Sequence, residues 1–169
     1  MDYRNQLNKI NESHFLISMT PVDGILEIGL FSGMNNSSTV LDLCCGYGEM
    51  LKIWNEAFGI QGIGIDICSE FIQKGRIESD IFKWDSNERY DYVCLSGEEF
   101  GGLQNTILLL EKFVKPRGKL IIGTRFSKVE NPPQELIDFE GELLSLNQIN
   151  NLFQLNGYFI TTMVSDTHN

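Results

Sequence analysis

Apolar positions change their period several times along this chain, and each change marks an element. From Ser13 to Met34 they recur at helical spacing, at Phe15, Leu16, Met19, Ile25, Ile28 and Leu30. Pro21 interrupts that run and predicts two helices, the second with Thr20 as N-cap and Pro21 at its first helical position. Thr39 to Leu43 is β-branched and apolar apart from Asp42, the pattern of a short buried strand. Glu49 to Phe58 is amphipathic, beginning with Met50, Leu51 and Trp54, and Ile60 to Ile67 is a second apolar strand that contains Asp66 at its tip. Ser69 to Lys74 has room for a turn or two of helix, and Arg76 to Ser79 for a very short strand. Tyr92 to Leu95 reads as a fourth strand, Leu103 to Val114 as an amphipathic helix, and Leu120 to Gly123 as a fifth strand. Thr124 to Glu142 is polar, is broken by Pro132 and Pro133, and predicts a lid or substrate loop. Leu144 to Leu155 predicts a helix capped by Ser145 or the preceding loop, and Tyr158 to Val164 a sixth strand.

Strands alternating with helices predict an α/β fold, doubly wound around a mostly parallel sheet in three layers. The 169 residues suit a single domain, with residues 1–38 as a helical cap and residues 39–169 as the core. No repeat, low-complexity segment or linker divides the chain.

The chemistry concentrates at Thr39 to Leu51. A strand, a turn built on Gly46 and Gly48 and a helix together open a nucleotide-binding βαβ unit. Glycine suits such a turn because it adopts positive φ and lets a ligand approach the backbone. A plain strand-to-helix turn would carry the same two glycines. Asp42 sharpens the reading, because a pyrophosphate loop has no use for a carboxylate beside its phosphates. A ligand with an ammonium group and no phosphate does.

Asp42-Leu43-Cys44-Cys45-Gly46-Tyr47-Gly48 resembles the first motif of class I S-adenosylmethionine (SAM) dependent methyltransferases, an acid followed by alternating glycines. The longer run GYGEMLKIWNEAFGIQGIGID is similar to a group of uncharacterised bacterial small-molecule-type methyltransferases. The resemblance implies a Rossmann-like core, SAM as cofactor and methyl transfer to an unidentified, small-molecule acceptor. Cys44 stands where the family has its first glycine, and its side chain would crowd the backbone edge that faces the ligand. Arg117, in Lys115-Pro116-Arg117-Gly118-Lys119, replaces another family glycine and is expected to force a different turn.

The implied cofactor residues are Asp42, Cys44, Gly46, Gly48, Asp66, Ile67, Asp80, Ile81 and Ser96. Asp42 would act near the methionyl ammonium, and backbone groups of Cys44, Gly46 and Ser96 would line the methionyl arm. Asp66 has two carboxylate oxygens for two ribose hydroxyls, although an N-cap for a helix near Ser69 would also explain it. Only 13 residues separate Asp66 from Asp80, fewer than the family spends there. Asp80-Ile81 resembles the family's acid and apolar pair, with the acid on the adenine amine and the apolar residue on the ring; Asp85 is the competing choice. Glu98 and Glu99, after strand four, are the candidates for orienting or deprotonating a substrate, with solvated loop carboxylates as the plainer reading. His14 lies in the cap that the family folds over its cofactor.

Thirteen basic against 23 acidic residues give a net charge of −10, which disfavours a nucleic-acid substrate. No stretch is apolar enough for a bilayer or a signal peptide, so the cytoplasm is the expected location. Cys44, Cys45, Cys68 and Cys94 have no C-x-x-C spacing and suggest neither a metal site nor a disulfide framework. The family's seventh strand has no counterpart after Val164, so either the chain is a fragment of a longer product or the protein is a shortened relative whose uncovered sheet edge invites a homodimer paired along it. Two other readings are a catalytically silent module that binds SAM or its demethylated product, and a dinucleotide-dependent oxidoreductase. The second is weakened by Leu51, which stands where a third glycine would be.

Overall fold

The structure is a computed structural model that describes residues 21–69, 76–96 and 101–164. His14, Thr20, Glu98 and Glu99 lie outside the described residues, as does most of the helix expected from Ser69 to Lys74. Five strands, β1 (Thr39–Leu43), β2 (Gln61–Asp66), β3 (Arg76–Glu78), β4 (Tyr90–Ser96) and β5 (Val114–Gly123), form one sheet in the order β3-β2-β1-β4-β5. Every neighbouring pair is parallel. Among the described residues the helices are α1 (Val22–Ser32), α2 (Glu49–Phe58), α3 (Leu103–Glu111), α4 (Gln134–Glu140) and α5 (Leu146–Leu155). The doubly wound, mostly parallel arrangement expected of the sequence is therefore present.

Strand alternation distributes the core between the two faces. Val40, Tyr92 and Cys94 face α1 and α2, where they meet Ile25, Leu26, Ile53 and Trp54. Leu41, Leu43, Val93 and Leu95 face the other way and pack with Leu109, Leu110 and Phe113. Trp54 is fully buried, and its indole N–H donates to the Ile25 carbonyl at 2.7 Å. That bond satisfies the ring's only polar group while tying α2 to α1. Gly29 makes the close approach possible, since a Cβ there would lie 2.9 Å from Trp54 Cδ1 and 2.3 Å from Phe58 Cε2.

Several boundaries moved. Pro21 is the N-cap of α1 and not its first helical residue, with ψ 154° and its carbonyl accepting from Ile25 N. The lid segment contains a short helix, α4, which begins directly after Pro133 because a proline can precede a helix without losing a ladder bond. Ser145 does cap α5: its hydroxyl accepts from Gln148 N while the Gln148 side chain accepts from Ser145 N.

Two expectations fail. Arg117 does not force a different turn but takes φ 65° itself. It sits in an excursion of β5, where the register jumps from Tyr90↔Val114 to Tyr92↔Lys119. Lys115 pins that excursion through an ion pair to Asp91 at 2.9 Å. The sixth strand does not form either. Tyr158 to Val164 keeps alternating half-buried and exposed positions, with Tyr158 and Ile160 packed beside Leu120 and Ile122, yet joins no ladder among the described residues. A two-residue period reports burial on one side and carries no information about a hydrogen-bonding neighbour.

Candidate cofactor site

The strand order reverses between β1 and β4, with β2 and β3 on one side and β5 on the other. Ligands of open parallel sheets bind beyond the carboxyl ends of the strands at such a switch point. The loop Cys44–Gly48 leaves β1 at that place. Cys44, Gly46 and Gly48 all have left-handed backbones, with φ of 59°, 51° and 66°. Cys44 thus occupies a glycine conformation at a cost of roughly 1–2 kcal/mol.

Asp66, at the tip of β2, holds this loop in place. Its Oδ2 accepts from Gly46 N at 2.8 Å and its Oδ1 from Cys68 N at 2.9 Å, so one carboxylate joins two loops. Each oxygen keeps acceptor capacity, because an ionised carboxylate offers about four lone-pair sites. Gly46 and Gly48 differ in what they face. A Cβ at Gly46 would meet nothing within 4 Å among the described residues, whereas one at Gly48 would lie 2.4 Å from Arg76 Nε. Gly46 therefore leaves room for a ligand against the backbone, and Gly48 leaves room for a guanidinium.

Asp42 lies one row behind the loop and is almost fully buried, at 3% exposure. Burial pushes its carboxyl up to about 7, Arg76 opposes that rise, and Asp66 adds to it. Burial, followed by the Asp42 charge, pushes the neighbouring Cys45 thiol up to about 12. Cys45 is protonated at neutral pH and is no nucleophile. None of the four cysteines is in a disulfide.

Asp80 and its surroundings lie past the end of β3. Phe82 N donates to Asp80 Oδ1 at 2.9 Å and Lys83 approaches the other oxygen at 3.3 Å, which holds the carboxyl below its usual range. Ile81, at 6% exposure, belongs to the core with Leu41, Leu43 and Tyr90. The exposed apolar side chains at this end of the sheet are Phe82, at 64%, and Ile67, at 71%. Asp85 is exposed. Ser96 ends β4, and a Cβ on Gly123 of β5 would come within 2.8 Å of its hydroxyl. The structure thus gathers Asp42, Cys44, Gly46, Gly48 and Asp66 into one cluster and adds Cys45 and Arg76. Phe82 is exposed beside Asp80. The sequence carried no signal for Arg76, which read only as the start of a short strand.

A family model described as a methyltransferase domain matches residues 21–162. The chain belongs to that family. It is 27% identical over 158 residues to the uncharacterized protein YjhP of Escherichia coli (strain K12), covering 81% of this chain and 64% of that protein. The chain therefore spans less than two thirds of that relative's length. The crystal structure of YjhP superposes with a TM-score of 0.74 at 24% identity, covering 90% of this chain and 71% of the other. A SAM-dependent methyltransferase from Thiobacillus denitrificans, crystallised with S-adenosylhomocysteine, gives 0.78 at 24%, covering 97% and 75%. Its counterpart from Geobacter sulfurreducens, with the same ligand, gives 0.79 at 23%, covering 96% and 74%. The sheet of this chain has the Rossmann-like fold of the family's methyltransferases.

The residues fit a SAM-type ligand on their own chemistry. A glycine loop with an accessible backbone edge, a buried carboxylate behind it and two acids at neighbouring strand ends suit an ammonium-bearing nucleoside. No group of three or more potential metal ligands occurs among the described residues, and no described helix is long and apolar enough to cross a membrane.

Proposed function

We propose that this chain is a SAM-dependent methyltransferase that transfers a methyl group to a small-molecule acceptor. The observation that carries the reading is Asp42, a buried carboxylate directly behind a left-handed glycine loop. An anion there repels phosphate and attracts the methionyl ammonium. Asp66 takes the ribose through its remaining acceptor sites, Asp80 takes the adenine amine, and the exposed apolar faces of Ile67 and Phe82 flank the ring. The two relatives crystallised with S-adenosylhomocysteine support this choice of cofactor.

The bound cofactor supplies an electrophilic sulfonium methyl group. The protein's part is to align an acceptor nucleophile with that methyl group and to exclude water. Such a reaction asks little of side-chain acid or base chemistry, and Glu98 and Glu99 remain its candidates for binding or deprotonating the acceptor. A net charge of −10 favours a small acceptor over a nucleic acid. β5 is one of the two outer strands of the described sheet, and pairing of a second copy along it completes the reading.

Calorimetric titration with S-adenosylhomocysteine tests the assignment, using the wild-type chain, Asp66→Asn and Asp66→Ala. Micromolar binding that is weakened in both variants supports it. A well-folded wild-type chain with no heat of binding overturns it.

A further inference from the structure

Asp42 of β1, Gly64 of β2 and Arg76 of β3 are aligned in one row across the parallel sheet. Residues in register on neighbouring parallel strands project from the same face. Here that face is the one covered by α1 and α2, since Val40, two residues before Asp42, packs with their side chains. β1 and β3 are about 10 Å apart, twice the usual strand spacing. An arginine can lean across that gap only if the middle strand carries no side chain in the row. Gly64 meets that condition, and even a Cβ there would lie 2.5 Å from Cys45 Sγ. The Arg76 guanidinium ends against Gly48, where a Cβ would come within 2.4 Å of Nε and 2.6 Å of Nη2.

We propose that Arg76, which reaches across Gly64 to the glycine loop, is a positioning residue for the methionyl end of the cofactor: its positive charge favours the anionic Asp42 that holds an ammonium group. This rests on the cofactor assignment above. Asp42 is acted on by Asp66 from β2 and Arg76 from β3, and its own charge reaches Cys45 in the loop and Cys94 in β4. Of the groups that act on Asp42, burial and Asp66 favour the neutral acid and Arg76 favours the anion. Without Arg76 the balance moves toward the protonated form, which accepts from an ammonium poorly. The cofactor's ammonium and Arg76 therefore act on Asp42 in the same direction, one as a resident charge and one as a ligand.

The test is isothermal titration of wild type, Arg76→Met and Arg76→Lys between pH 6 and 8.5. The two ligands are S-adenosylhomocysteine and 5′-methylthioadenosine, which keeps the nucleoside but has no ammonium or carboxylate. Wild-type affinity for S-adenosylhomocysteine is expected to rise through pH 7 and level off. In Arg76→Met that rise moves to higher pH, with about tenfold weaker binding at pH 7 and recovery toward pH 8.5. Arg76→Lys restores the wild-type profile, and 5′-methylthioadenosine binds all three proteins equally at every pH. An unchanged profile in Arg76→Met overturns the proposal. So does a loss confined to S-adenosylhomocysteine but equal at all pH values, which means direct pairing with the ligand carboxylate. A parallel loss for both ligands also overturns it, by reducing Arg76 to a brace for Gly48. Wild type that binds neither ligand overturns the cofactor assignment itself.

Discussion

Asp42→Asn should stabilise this protein increasingly as pH rises. The substitution keeps the shape of a side chain that is 3% exposed and removes its titration. Burial raises the folded-state carboxyl from 3.8 to about 7. Because the folded protein holds this proton more tightly than the unfolded chain, the wild type bears no penalty from this carboxyl at low pH. It loses stability as pH climbs from about 4 to about 7, and the loss is then constant. At 1.36 kcal/mol for each tenfold change in proton affinity, the full penalty is roughly 4 kcal/mol. About half of it has already developed by pH 5.5, so the interval from pH 5.5 to 8.5 contains about 2 kcal/mol. That range stays clear of the isoelectric point of 4.6. Urea unfolding of both proteins at the two pH values measures it. The absolute difference at either pH includes whatever the new amide gains or loses, but the change between them isolates the carboxyl. A stability difference that stays constant within about 0.5 kcal/mol would refute a buried, neutralisable Asp42. The same substitution should weaken S-adenosylhomocysteine binding above pH 7, where the wild-type carboxylate is charged. Stability and ligand recognition then oppose each other at one side chain, as they do where function retains a buried charge.

Gly48→Ala should destabilise by at least 1–2 kcal/mol, since φ is 66° and the new methyl would overlap Arg76, and chemical denaturation reads it directly. The same change at Gly46 should leave stability less affected, because only backbone strain opposes it there, while S-adenosylhomocysteine affinity falls by at least tenfold in titration. Cys44→Gly should raise the unfolding free energy by a few tenths to about 1 kcal/mol, the relief at φ 59° less the entropy glycine adds to the unfolded chain. Trp54→Ala should cost about 3–5 kcal/mol and lower the melting temperature sharply, through the lost volume and the orphaned Ile25 carbonyl.

Local chemistry made much of this protein legible from its residues alone. Thr39–Leu43 is apolar enough to be a buried strand, Glu49–Phe58 is amphipathic enough to be a helix, and the structure has both with those boundaries. Asp66 and the glycine loop also follow from short-range pattern, because an acid at a strand tip and glycines at a sharp turn are requirements of a few neighbouring residues. The Ser145 cap is of the same kind. Other features depend on partners far away in the chain. Nothing near Arg76 says that Gly64 will lie beside it or Asp42 beyond, since that row exists only after three strands adopt their register. The alternation from Tyr158 to Val164 is genuine, but a ladder needs a neighbouring backbone that no local pattern can supply. Ile81 and Phe82 are equally apolar neighbours, and only the packing around Leu41, Leu43 and Tyr90 decides that the first is buried and the second exposed. Period and composition therefore determined most of the strands and helices and where the acids stand. Register and packing decided which charges meet, because those bring together residues that no sequence window contains.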